Sequence, residues 1–291
     1  MNLQSEYKTA ENYFKYFLKF KDNEKWKEQN YNKKSKWGLP ILFGEIGRYN
    51  NINKYEINIQ DKEENFAQNG EDMLLKYIFK KINTINKYFV EFGGWDGKHL
   101  SNTYYFRIKE NWNGLLLEGD KSKVESIPNS NEINLHHEWL TEENIDETFK
   151  KYNVPEKFDL LSIDIDSEDY YVWRGLKNYE ANVVIVETNP GIPNEVSLVV
   201  NKNQTNGQIG YFGANLLAFY RLAKTKGYEF VTTVRWNAVF IKKELLSQLN
   251  IEPISEKECI EKYFKPNNFW LNRIIEGQFI KNKNIEWNID V

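Results

Sequence analysis

The residues of this chain best placed to do chemistry are acids that close short apolar runs. Asp164 follows Leu160-Leu161-Ser162-Ile163, with Asp166 two residues on, and Glu187-Thr188-Asn189 follows Val183-Val184-Ile185-Val186. Asp164, Asp166, Glu187 and Asn189 offer hard oxygen ligands suited to Mg²⁺ or a similar divalent ion, and a carboxylate held there can also take a proton from a hydroxyl. Asp166 capping the helix that follows is the plainer alternative. Two further acids belong to the same pattern: Glu91, inside Tyr88-Phe89-Val90-Glu91-Phe92 and ahead of Gly93, Gly94 and Gly97, and Glu118, after Gly114-Leu115-Leu116-Leu117. A carboxylate at a strand end, about twenty residues beyond a glycine-rich turn, is placed to accept hydrogen bonds from vicinal sugar hydroxyls. His136 and His137 end another run. A histidine titrates near neutrality and makes a natural base, or it is a surface residue with no proton to move.

Such acids need strands to carry them. Apolar runs predict strands at about 88–92, 114–118, 132–136, 158–164 and 182–187, separated by helical stretches near 101–110, 141–152 and 168–176. A helix near Glu71–Phe79 leads into the first strand. Alternation of this kind implies right-handed crossovers and a mainly parallel sheet, with ligands gathered at the carboxyl ends of its strands. The ending differs. A helix over about 213–226 stops at Gly227, and Tyr228–Val234 is followed almost at once by Asn237–Ile241, too close in sequence to pair in parallel. A C-terminal antiparallel hairpin should therefore close the sheet. The long polar stretch 191–210 is a candidate lid over an acceptor.

The glycine spacing narrows the ligand. A pyrophosphate-binding turn wants G-x-G-x-x-G, but Trp95 stands two beyond Gly93. The pattern acid-x-Gly-Gly-x-x-Gly instead resembles motif I of the class I S-adenosylmethionine-dependent methyltransferases; an ordinary strand–turn–helix without a ligand is the bland alternative. Within that class the chain resembles the FkbM-type family. Asp164-Ile165-Asp166-Ser167-Glu168-Asp169 through Arg174-Gly175 is similar to its D-[IV]-E-G-x-E pattern, with Asp166 in place of Glu and Ser167 in place of Gly. Phe66-Ala67-Gln68-Asn69-Gly70-Glu71-Asp72 is similar to its lead-in S-Q-x-G-x-D, and Leu100–Thr103 and Asn237–Phe240 also match the branch, so the likeness covers roughly 65–242.

The resemblance implies a Rossmann-like class I methyltransferase fold and transfer of a methyl group to a hydroxyl, less often an amine, of a sugar, glycan precursor or other small molecule in the cytoplasm. Glu91, Gly93 and Gly94 would line the methionine and ribose part of S-adenosylmethionine, and Gly97 with the helix start at Ser101 and Asn102 would meet its carboxylate. Glu118 would hold the ribose hydroxyls. Gln68 and Asp72 are carried over toward its amino-acid end by resemblance. Asp164 and His137 are the candidate catalytic groups; Asp164 could instead bind the cofactor's ammonium, and Glu138 is an alternative adenine contact. Catechol-modifying methyltransferases that use a metal place acids and an Asn at corresponding strand ends, by analogy with Asp164, Asp166, Glu187 and Asn189.

Composition sets the outer bounds. The 291 residues are 41% hydrophobic and 15% aromatic, enough for one large α/β domain with additions. The division expected is a helical extension over 1–60, a methyltransferase domain over 61–245 and a C-terminal extension over 246–291 that packs on it. In the first of these, Tyr13, Phe14, Phe17 and Leu18 share a helical face that suits docking, homo-oligomerisation or covering a substrate. Thirty-nine Lys and Arg against 42 Asp and Glu, a net charge of -3, do not advertise a nucleic-acid partner, and Thr188-Asn189-Pro190-Gly191 lacks the second proline and aromatic of a nucleic-acid methyltransferase tetrad. A single cysteine, Cys259, permits no internal disulfide, and no run of about eighteen apolar residues suggests a membrane span. The rival functions are a nicotinamide-dependent sugar-modifying oxidoreductase, opposed by Trp95 and the terminal hairpin, and a non-catalytic partner that retains the fold.

Overall fold

The computed structural model describes residues 66–166, 168–189, 197–200, 202, 213–262 and 287–289. The helix expected within 1–60, most of the 191–210 stretch and the Phe269-Trp270-Leu271 segment lie outside the described residues. Helix α1 (Glu71–Lys81) leads into β1 (Tyr88–Phe92), followed by α2 (Tyr104–Lys109), β2 (Asn113–Glu118), α3 (Lys121–Glu125), β3 (Leu135–His137), α4 (Ile145–Lys151) and β4 (Lys157–Ile163). Then come α5 (Asp169–Gly175), β5 (Glu180–Glu187), β6 (Leu198–Val200), α6 (Leu216–Thr225), β7 (Tyr228–Val234), β8 (Asn237–Lys242), a 3₁₀ segment (Lys243–Leu249), α7 (Glu256–Lys262) and β9 (Trp287–Ile289).

Seven strands form one sheet in the order β3-β2-β1-β4-β5-β8-β7. The pairings β3–β2, β2–β1, β1–β4 and β4–β5 are parallel, while β8 runs antiparallel to both β5 and β7. This is the Rossmann-like class I methyltransferase fold, a parallel sheet with one reversed strand supplied by the terminal hairpin. The hairpin is forced locally: only Arg235 and Trp236 separate β7 from β8, and Arg235 takes the left-handed φ of 52° that a tight turn requires.

Continuous apolar strands mean a sheet covered on both faces. Successive residues of β4 and β5 divide between two clusters: Leu161, Ile163, Val184 and Val186 with Phe149, Trp173 and Phe219 on one side, Leu160, Val183 and Ile185 with Leu74, Leu75 and Ile78 on the other. Trp173, 2% exposed, packs at 5.3–6.2 Å from the rings of Phe219, Tyr228 and Phe240. Truncating such a side chain to Ala costs about 3–5 kcal/mol. Strand order reverses between β1 and β4, so their carboxyl ends flank a switch point where the sheet opens a crevice.

Two elements differ from expectation. The helix expected from 101 begins only at Tyr104, because Ser101, Asn102 and Thr103 are held out of helix by bonds to Glu91. Within the stretch taken for a polar lid, Leu198–Val200 is a buried strand that pairs antiparallel with β9. Asn215 secures it, accepting from Leu198 N at 3.2 Å while capping α6 through Ala218 N at 3.1 Å.

Candidate functional site

The turn after β1 is built against the end of β4. Gly93 has φ +70°, and a Cβ there would fall 1.8 Å from the Asp164 carbonyl oxygen. Gly94 N donates to the Leu117 carbonyl at 3.1 Å, tying the turn to β2. Arg107, from α2, donates to the Gly97 carbonyl at 2.6 Å and so fixes the far side.

Glu91 is 5% exposed and held from within. Its Oε1 accepts from Asn102 N at 2.8 Å, and its Oε2 from Ser101 Oγ at 2.6 Å and Thr103 Oγ1 at 2.5 Å. Burial raises its carboxyl above the ordinary range, while these bonds and the Arg107 charge act the other way. Glu118, 6% exposed, is held differently: Oε2 accepts from Trp95 N at 3.0 Å and Oε1 from Asp120 N at 2.9 Å. Each oxygen carries one such backbone bond and can accept a further donor from the cleft it lines.

That cleft, about 360 Å³, runs across the carboxyl ends of β2, β1, β4 and β5. At its β4–β5 end, ligand oxygens of Asp164, Asp166 and Glu187 lie within 4.8 Å of one another, a spacing that a divalent ion could bridge. Asp164 is exposed to the cleft. Desolvation first, then the charges of Asp169, Asp166, Glu91 and Glu71, push its carboxyl well above the usual range. Glu187 is raised for the same reasons, burial first and then Asp164, Asp166 and Asp169, and its Oε2 is buried without a hydrogen-bond partner. Trp236 closes this end from the β7–β8 turn, its carbonyl accepting from Thr188 N at 2.8 Å and Thr188 Oγ1 at 2.5 Å. Asn237 pairs with Glu187 across the strands and donates to Glu71 Oε1 at 2.9 Å, anchoring the hairpin to α1.

A second cavity, about 490 Å³, shares Gly93, Glu118 and Ile165 with the first and extends past β3, where Leu117, His137, Glu138 and Trp139 line it. Trp139 is 66% exposed, with ring atoms 3.2 Å from where a Gly119 Cβ would lie. His136 is set apart, stacked on Tyr152 at 4.4 Å and bonded to Asn134 at 2.8 Å.

No protein-family model and no curated relative matches the sequence. Among solved structures, the CMeT domain of the citrinin polyketide synthase matches 58% of this chain and 50% of its own at 6% identity and TM-score 0.38. This chain thus spans half the length of that one. An O-methyltransferase from Bacillus cereus in complex with SAH matches 75% of this chain and 94% of its own at 14% identity and TM-score 0.37. A SAM-dependent methyltransferase from Aquifex aeolicus matches 65% and 95%, at 10% identity and TM-score 0.35.

Of the residues singled out in the sequence, Gln68, Glu91, Gly93, Gly94, Ser101, Asn102, Glu118, Asp164, Asp166 and Glu187 meet around the first cleft. Five placements differ. Gly97 does not line the cleft: it is packed against Leu116 and Ile133, with its carbonyl accepting from Arg107. Asp72 is fully buried and turned into its own chain, accepting from Phe66 N at 2.7 Å and Met73 N at 3.0 Å, so it shapes the lead-in and does not line the cleft. Ser101 and Asn102 do not open a helix: the donors expected to meet a ligand carboxylate are spent on Glu91. Asn189 is buried, its N–H on the Ala214 carbonyl, and does not line the cleft with the three carboxylates. His137 lines the other cavity, with Nε2 3.1 Å from the Gly119 carbonyl, so it is not brought together with Asp164. Trp236, Lys123 and Trp139 were missed; none sits in a glycine or acid motif, and only the sheet order brings them to the cavities.

Proposed function

We propose that the chain is an S-adenosylmethionine-dependent methyltransferase acting on a hydroxyl or amine of a small molecule. The observation that carries this reading is Glu118: a buried carboxylate at the β2 end, fixed by two backbone N–H groups, that also faces the cleft beside the Gly93-Gly94 turn. A ribose diol meets such an acceptor with two charge-assisted hydrogen bonds. The second cavity, walled by Leu117, Ile165 and Trp139, suits a flat base extending from that ribose.

When bound, the cofactor supplies a methyl group on a sulfonium that departs as a neutral thioether. The chain's residues have to align the acceptor and manage its proton. Glu118 orients one end of the ligand, the Gly93-Gly94 backbone lets it lie close to β1, and the acids at the β4 and β5 ends face the position an acceptor would take. The motifs at Gln68–Asp72, Asp164–Asp169 and Asn237–Phe240 favour the FkbM-type branch and, with it, a sugar-like acceptor in a cytoplasmic setting. Calorimetry with S-adenosylhomocysteine and, in parallel, NAD tests the reading. Saturable binding of the first and none of the second is the expected result; the reverse sinks it.

A further inference from the structure

We infer that the carboxylate at the cofactor's amino-acid end is received by His99, with Gln68 beside it, so that cofactor affinity depends on the charge of one imidazole. This rests on the methyltransferase reading above. The groups expected to meet that carboxylate are committed elsewhere. Gly97 packs against Leu116 and Ile133, Ser101 Oγ and Asn102 N serve Glu91, and Asn102 Nδ2 donates to Ser162 Oγ at 3.0 Å. Helix α2 is six residues long and begins only at Tyr104, so it supplies no anion site in their place.

The loop before that helix carries the replacement. Asp96 Oδ1 accepts from Lys98 N at 2.9 Å and from His99 N at 2.6 Å, which fixes the backbone under the imidazole. Leu100 then takes a left-handed φ of 58° and bridges Ala67 in parallel. His99 and Gln68 each lie one residue from that bridge and so reach the same rim of the cleft. The His99 ring meets the Trp95 ring edge-to-face at 5.0 Å.

Donors decide the assignment. Among the described residues lining the cleft, the His99 ring, the Gln68 amide NH₂ and the Trp95 indole N–H are the side-chain donors with neither a hydrogen-bond nor an ion-pair partner, and they share this rim. Lys123, by contrast, is 3.7 Å from Glu118. Asp164 and Asp166 bring acceptors to the other side. Donors facing acceptors across a cleft suit a zwitterion. Direction follows from the ribose: with the diol on Glu118 and the base in the second cavity, the chain beyond sulfur runs the other way, between these two sides.

Of the three donors, the imidazole alone can carry charge. A histidine titrates near neutrality, and a charged donor bonds a carboxylate about twice as strongly as a neutral one. Affinity should therefore fall as pH rises through the histidine range. Other charges surround the same space. Asp96 and Lys98 share the His99 loop, Arg107 reaches it from α2 and Glu91 lies behind it on β1. Glu118 and Lys123 stand at one end of the cleft, and Asp164, Asp166 and Glu187 at the other. Their titration acts alike on the parent and on a His99 variant, so the difference between the two isolates the imidazole.

The test is calorimetry on the full chain from about pH 5.5 to 8, spanning the histidine range, with two ligands. One is S-adenosylhomocysteine; the other is 5′-(3-aminopropylthio)-5′-deoxyadenosine, which keeps the base, ribose and ammonium and lacks the carboxylate. His99→Gln keeps a donor and removes the charge. At the acid end it should bind S-adenosylhomocysteine about tenfold more weakly than the parent, and at the alkaline end the gap should close to about threefold or less. The aminopropyl ligand should bind parent and variant within about twofold throughout, because it lacks the group that His99 would hold. In the parent alone, preference for S-adenosylhomocysteine over the aminopropyl ligand should shrink as pH rises. A gap that is absent, or constant with pH, overturns the proposal. So does an equal loss for both ligands, which would give His99 a part in holding Trp95 and the ribose. Failure of the parent to bind either ligand would instead strike the methyltransferase reading.

Discussion

The carbonyl oxygen of Asp164 occupies the space that a side chain on Gly93 would need, 1.8 Å from its Cβ position. Gly93 is therefore required by the packing of β1 against β4 before any ligand arrives, and its φ of +70° adds strain for any other residue. Gly93→Ala should lose about 3 kcal/mol or more in urea melts of the ligand-free protein, since neither backbone can yield without breaking the β1–β4 register. A variant as stable as the parent that no longer binds S-adenosylhomocysteine would reassign the glycine to ligand clearance alone.

That case shows what the sequence discloses. The sheet was legible because its strands are continuous apolar runs and because two residues between β7 and β8 admit only a hairpin. The position of Glu118, closing β2 at the cleft, was legible from its distance beyond the glycine turn. The reason for Gly93 was not, because the atom it avoids belongs to Asp164, just past the end of β4 and some seventy residues away. Ser101 and Asn102 look like a helix start until Glu91 claims their donors, and Asp72 looks like a ligand contact until its own lead-in folds over it. Val196-Ser197-Leu198-Val199-Val200 was hidden by polar flanks, and its strand partner comes from residues 287–289.

Glu118→Ala should weaken S-adenosylhomocysteine binding about 100-fold or more, the loss of two charge-assisted bonds at about 1.5–3 kcal/mol each. The variant also frees the Trp95 and Asp120 N–H groups, so calorimetry should be paired with circular dichroism to show the sheet intact. Unchanged affinity in a folded variant removes Glu118 from the cofactor site.

Glu142 joins α5 to the segment before α4 through Arg174 Nε at 2.6 Å and Nη2 at 2.9 Å, with Lys202 Nζ at 2.9 Å. The Arg174 bond, seconded by Lys202, pulls its carboxyl from 4.5 down to about 2. A lowered folded pKa contributes stability that is present above the unfolded value and lost as pH falls through the folded one. Glu142→Gln should cost about 1–2 kcal/mol at pH 7, less than the full shift implies because solvent screens a pair whose Arg174 side chain is 40% exposed. In denaturation curves the gap between parent and variant should close between pH 4.5 and about 2; a gap constant over that window would show that the ion pair contributes nothing.

Glu91 separates two roles for an acid in a glycine motif. Its oxygens receive a backbone N–H from Asn102 and hydroxyls from Ser101 and Thr103. Glu91→Gln keeps one oxygen, which can stay on the Asn102 N–H, while the new amide faces Thr103 Oγ1, which can rotate to accept, and Ser101 Oγ, which already accepts from Thr103 N and Tyr104 N. Its cost should be about 1 kcal/mol. Glu91→Ala leaves all three donors without this acceptor at the buried inner wall of the cleft and should lose about 3 kcal/mol or more. Both shift the loop carrying Leu100, Ser101 and Asn102 along the cleft, so S-adenosylhomocysteine affinity should fall in the same order as stability. If Glu91→Gln is as stable as the parent yet binds the ligand a hundredfold more weakly, the carboxylate touches the cofactor directly and its bonds to the loop are incidental.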